Sequence, residues 1–144
     1  MGKRIGVALA LGALLAVITP TVAPAEAGFA HAHAGFARVL RAHVRQGQVD
    51  YAAIKRDRAP LDEYLKGLAA VDAGLLAAFG REQQLAYWLN AYNALVLRTV
   101  IDHYPITGRT LVGVAFPANS IWQISGAFRE PRHLVGGRTL SLDD

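Results

Sequence analysis

The 144-residue sequence contains no cysteine. That excludes a disulfide framework, a thiolate metal site and a thiol nucleophile within these residues. Acidic residues are few, 11 Asp and Glu against 15 Lys and Arg, for a formal net charge of +4. The basic side chains are scattered rather than gathered into a stripe, which argues against a nucleic-acid partner. Long apolar runs are also missing. The longest near the N-terminus, Ile5 to Ile18, has about 14 residues, short of the roughly 20 that a bilayer-spanning helix needs. No serine sits in a Gly-x-Ser-x-Gly elbow, and the sequence has neither an internal repeat nor a low-complexity tract.

What is present at the N-terminus reads as an export signal. Lys3 and Arg4 precede the apolar run, Pro20 and Pro24 break it, and Ala25-Glu26-Ala27 gives a small-x-small cleavage pattern. With no Arg-Arg pair and no cysteine for lipid attachment, a Sec-type signal is expected. Residues 1–27 would then be removed, leaving one domain over 28–144, periplasmic or secreted and off the membrane after cleavage. A chain of this size can bury a modest core, and without disulfides that core must hold it.

Hydrophobic spacing predicts four helices. Phe36, Val39, Leu40, His43 and Val44 share one face of a helix from about His33 to Arg45, which Gly47 ends. Gln48 to Tyr51 reads as an extended turn into Ile54. Pro60 suits the first turn of a second helix carrying Leu61, Tyr64, Leu65 and Leu68. Asp72 can cap a short third helix with Leu75, Leu76 and Phe79, stopped by Gly80. The fourth runs from Arg81 to His103 and ends at Tyr104-Pro105. Beyond Pro105 the texture becomes loop-rich, with short strands or turns. Trp122 and Phe128 are expected to anchor this part to the helices, and Gly136-Gly137-Arg138 reads as a turn between extended pieces.

The fourth helix carries two asparagines, Asn90 and Asn93, in its most apolar stretch. Projected at 100° per residue from Trp88, Gln84, Ala91, Arg98 and Asp102 form a narrow polar arc near 280–320°, while Asn93 falls at about 140° and Asn90 at about 200°. Both amides are therefore expected to point into protein, with Tyr87, Trp88 and Tyr92 packed around them. A buried amide needs partners. Either the two clamp neighbouring loops such as Ile106 to Ala127, or one lines a pocket and orients a substrate or an oxyanion.

Other chemistry-bearing residues stay isolated in the sequence. Ser120, Ser125 and Ser141 lie in the loop half without a recognisable base. His103 sits where a helix C-terminus favours a cation, and its second reading is a catalytic base. His133, between Arg132 and Leu134, reads as a surface loop residue. His31 and His33 form the only close histidine pair. They read as a solvated chain end, or as a weak copper, nickel or zinc site together with a free amino terminus. No further ligands complete a coordination set, so no metal or cofactor is expected.

The stretch "AYWLNAYNALVLRTVIDHYP" resembles the signature of the DUF547 family, with its core at Tyr87 to Leu95 and its ending at His103-Tyr104-Pro105. Val49-Asp50-Tyr51, Leu61-Asp62 and Tyr64-Leu65 resemble the family's approach to that core. Ser120 to Trp122, Phe128 and Thr139 to Asp144 resemble its next blocks. In the family the Leu-Asp-Asp block leads into an Ile-Glu-His helix and a segment with cysteines. The resemblance therefore implies that 28–144 is a partial domain, the mainly α-helical N-terminal portion of a larger α+β domain. Ser141 and Asp143 also look like helix N-caps with no helix after them. The family has no settled activity. The resemblance leaves open a non-catalytic binding or scaffold module for a protein or envelope component. The alternative is the N-terminal part of a thiol-dependent hydrolase or acyl transferase whose nucleophile lies beyond residue 144.

Overall fold

The computed structural model describes residues 29–107, 109–111 and 114–144. The expected export signal at 1–27 lies outside them. Among the described residues the chain is mainly α-helical, with three small antiparallel hairpins. The order is α1 (Ala34–His43), β1 (Val44–Arg45), β2 (Gln48–Val49), α2 (Tyr51–Arg56), α3 (Ala59–Ala69), α4 (Ala73–Ala78) and α5 (Arg81–His103). Then follow β3 (Arg109–Leu111), β4 (Val114–Phe116), a 3-10 turn at Ile121–Gln123, β5 (His133–Val135) and β6 (Arg138–Leu140). None of these helices is long and apolar enough to cross a membrane.

Local chemistry sets the boundaries. Asp50 accepts from the Ala53 N–H at 2.9 Å and starts α2, a helix that the sequence pattern did not single out, directly after the extended Gln48–Val49. Three acceptable helix formers after an Asp cap suffice, because Ile54 gains burial at 1% exposure. Asp72 caps α4 in the same way through the Leu75 N–H at 2.7 Å. At the start of α5, Gln83 reaches back to accept from the Gly80 N–H at 2.9 Å. Pro60 lies in the first turn of α3, where its missing N–H costs nothing.

The core lies between α1, α3 and α5 and is closed by the β5–β6 hairpin. Phe36 and Val39 of α1, Leu61, Leu65 and Leu68 of α3, and Tyr87, Ala91, Ala94, Leu97 and Ile101 of α5 are all buried there with Val135 and Leu140. Ala91 and Ala94 are small, which lets neighbouring elements approach α5 closely. The β5–β6 turn is Gly136-Gly137, at φ of 59° and 73°. Two consecutive positive φ values fit a two-residue hairpin of the primed type and favour glycine at both positions. Space demands it too. A Cβ on Gly137 would lie 2.8 Å from the Ala73 backbone nitrogen, and one on Gly136 would lie 3.0 Å from Leu76 and Trp88.

The segment with His31 and His33 is not a solvated end. Phe29 packs edge-on to Tyr87 at 5.4 Å, His31 lies edge-on to Phe79 at 4.3 Å, and His33 is 8% exposed with Nδ1 2.7 Å from the Tyr64 hydroxyl. Aromatic surface on α3 and α5 supplies the partners that the local sequence does not advertise.

Candidate functional site

Tyr87 is the hub of the signature helix. It is fully buried, its hydroxyl donates to the Leu68 carbonyl at 2.9 Å, and it accepts from the Gly136 N–H at 2.9 Å. One phenol thus joins α5 to the end of α3 and to the β5–β6 turn. Burial pushes its pKa up, so it stays a neutral donor. Trp88 is half-buried, meets Tyr87 edge-on at 5.2 Å, and lies against the glycine turn.

The two asparagines do not clamp a loop. Asn90 is half-buried and its Nδ2 donates to the Ala86 carbonyl at 2.8 Å; Asn93 is exposed and donates to the Leu89 carbonyl at 2.9 Å. Both bonds run one turn back along α5, a local pattern open to short polar side chains in helices. The face that holds Asn93 also carries Leu85, Leu89 and Tyr92, exposed to 60, 55 and 46%. Tyr92 is therefore a surface residue rather than packing for the amides. The expected polar arc is instead turned inward: Ala91 is 1% exposed, and Arg98 and Asp102 are engaged with α3. A wheel that is apolar nearly all round does not say which side meets protein, and here ion pairing chose the side.

Those ion pairs form a closed ring. Arg58 contacts Asp62 at 2.8 Å and Asp102 at 3.0 Å, while Arg98 contacts Asp62 at 3.0 Å and Asp102 at 2.9 Å. Each carboxylate faces two guanidinium groups. The Asp62 hydrogen bond, supported by Asp102, raises the Arg58 pKa further.

The loop-clamping role falls to Asn119, which the sequence pattern did not single out. Its Oδ1 accepts from the Ile106 N–H at 3.0 Å, and its own N–H donates to the Ile106 carbonyl at 2.9 Å. It sits at φ 61°, the left-handed region in which asparagine is enriched, and that was the available signal. Trp122 does not anchor the loops to the helices. It is 66% exposed and stacks on Phe128 at 4.5 Å.

The histidines divide. His103 closes α5 with Nδ1 donating to the Thr99 carbonyl at 2.8 Å. His133 is not a surface loop residue. It lies on β5 at 8% exposure, and its Nε2 has no hydrogen-bond partner among the described residues. Burial lowers its pKa, with the charges of Arg132 and Arg98 adding to that and Asp102 opposing it. Ser141 is occupied, its N–H and Oγ both donating to Asp144 Oδ2 at 2.7 Å. Among the described residues no three His, Asp or Glu side chains stand together as a metal site.

Two concave regions border α5. One, of about 490 Å³, is walled by Trp88, Tyr92, Leu95, Leu140, Leu142 and Asp144. The other, of about 350 Å³, lies between α3, α5 and β5 and is lined by both His103 and His133.

This architecture defines a mainly helical domain in which one long helix carries the polar signature residues and a glycine-turned hairpin is fastened to it. Residues 76–144 match the family model described as "Protein of unknown function, DUF547", consistent with part of a DUF547 domain that includes most of the signature helix and the glycine-turned hairpin. No curated protein and no solved structure matches it.

Proposed function

We propose that the protein is an exported DUF547 module, periplasmic or secreted, that binds a protein component of the envelope through the solvent-facing side of α5. The observation that carries this reading is the row Leu85, Leu89 and Tyr92, exposed to 60, 55 and 46% on the helix that bears the signature. Positions i, i+4 and i+7 place the three side chains along about 10 Å of one helix face. Covering the half or so of each side chain that is still exposed gains roughly 1–1.5 kcal/mol each. The amides favour protein as the occupant over acyl chains. Asn90 and Asn93 spend Nδ2 on their own helix, and their carbonyl oxygens, without a partner among the described residues, can accept from a partner's peptide N–H groups. Arg81 and Glu82 at the head of the same helix offset each other in charge, so the face has no bias toward anionic lipid.

A photo-crosslinking residue at Leu89, expressed in the native host, tests the reading. The expected result is a discrete protein adduct that is missing when the crosslinker sits at exposed Arg41 on α1. Changing Leu85 to Glu should remove the adduct without shifting the melting midpoint. Equal adducts from both positions, or adducts to lipid alone, would overturn it.

A further inference from the structure

The cleft between α3, α5 and β5 holds more cationic donors than its carboxylates can use. Asp62 and Asp102 both line it, and both are fully engaged in the ring with Arg58 and Arg98. The ring is neutral as a whole. Arg98 uses Nε and one terminal nitrogen there, leaving the other terminal nitrogen without a partner among the described residues. Lys66 lines the cleft with no ion pair among those residues, and Arg132 lines it with a single terminal nitrogen turned to Glu130. The surplus on this wall is therefore positive.

A second, independent observation points to the same place. His133 is more than nine-tenths buried, lines the cleft, and keeps Nε2 unpartnered among the described residues. An unmatched buried nitrogen carries an uncompensated desolvation cost unless something meets it. His103 also lines the cleft, with Nδ1 on the Thr99 carbonyl and Nε2 without a hydrogen-bond partner among the described residues. The volume, about 350 Å³, lies at the small end of ligand sites.

We propose that this cleft is a binding site for a small oxyanion-bearing ligand, a carboxylate or a phosphate, held by Lys66, Arg132 and the free edge of Arg98 and met by the His133 imidazole. Guanidinium groups suit both head groups, because their planar fork matches two oxygens at once. This site is separate from the exposed α5 face and does not depend on it.

The test is an NMR titration of the protein with sodium phosphate and, separately, with sodium succinate, against sodium chloride at matched ionic strength. Saturable shifts at Lys66, Arg132 and His133 with one or both oxyanions, and none with chloride, are expected. Saturation by phosphate alone assigns a phosphate ligand, and saturation by succinate alone assigns a carboxylate. The double variant Lys66→Ala, Arg132→Ala should weaken that binding at least tenfold with its melting midpoint unchanged, since both are surface residues that stand outside the ring. Linear, non-saturating shifts with both oxyanions would overturn the proposal. Saturable binding that the double variant retains would overturn it as well.

Discussion

Replacing Tyr87 by Phe removes one oxygen atom from the centre of the molecule. The ring keeps its place against Trp88, Phe79 and Phe29, so the perturbation is confined to two hydrogen bonds. They are not equivalent. The Leu68 carbonyl keeps a second donor, the Val71 N–H at 3.2 Å, and loses a bond without being stranded. The Gly136 N–H sits in a buried turn with Tyr87 as its partner and is left unmatched. A lost bond costs about 1 kcal/mol and a stranded buried donor about 1–3 kcal/mol, so the substitution should destabilise by about 2–4 kcal/mol. For a domain of this size that lowers the melting midpoint by roughly 8–16 °C. Urea unfolding followed by far-UV circular dichroism measures the energy. Amide exchange reads the location, because Gly136 should lose protection while the Leu97 to Ile101 segment keeps it relative to the new global stability. A loss below about 0.5 kcal/mol would refute the reasoning, since no buried N–H could then have been stranded. So would a full loss with Gly136 exchange tracking the rest of the chain.

Two further outcomes follow from the same geometry. Asn93→Ala should change stability by less than about 0.5 kcal/mol, because the side chain is exposed and bonds only to its own helix while alanine is the better helix former; a loss of 2 kcal/mol or more in urea unfolding would mean that the amide is buried after all. Stability should also fall in mild acid. His33 and His133 both have pKa values lowered from 6.5, first by burial and then by His31 in one case and by Arg132 and Arg98 in the other. The unfolded chain then takes up protons that the folded one refuses, so stability is complete above the ordinary imidazole range and declines as pH drops below it toward the folded values. A melting midpoint that stays flat from about pH 7.5 to 5.5 would contradict this, and the H33N/H133N double variant should show the flatter profile.

Much of the backbone was legible because its signals are local. Asp72, Pro60, Gly80 and Tyr104-Pro105 mark helix ends by their own stereochemistry, and α5 runs from Arg81 to His103 as the pattern predicts. Gly136-Gly137 announces a turn for the same reason. What the sequence concealed depends on distant partners. Whether His133 lies at the surface or under α5 is settled by how the hairpin docks, and nothing in Arg-His-Leu encodes that. The orientation of α5 was hidden because Arg98 and Asp102 look like solvent-facing residues until Arg58 and Asp62 arrive from α3. The two asparagines misled because short amides in an apolar stretch suggest burial, whereas a bond one turn back makes exposure inexpensive.

The ion ring and the Tyr87 hydroxyl fasten the same two helices at opposite ends. The ring joins the start of α3 to the end of α5, and the phenol joins the end of α3 to the beginning of α5. The helices run antiparallel, and each fastening is specific to one relative position along their axes. Apolar packing alone would tolerate a slip of one helical turn, about 5.4 Å, in which leucines exchange one hollow for the next. Such a slip here would part the two ion pairs that cross between the helices, Arg58–Asp102 and Asp62–Arg98, and carry the tyrosine away from the Leu68 carbonyl. The two fastenings act as a vernier: between them they leave α3 and α5 a single register, and the position of everything mounted on α5 is set to that mark.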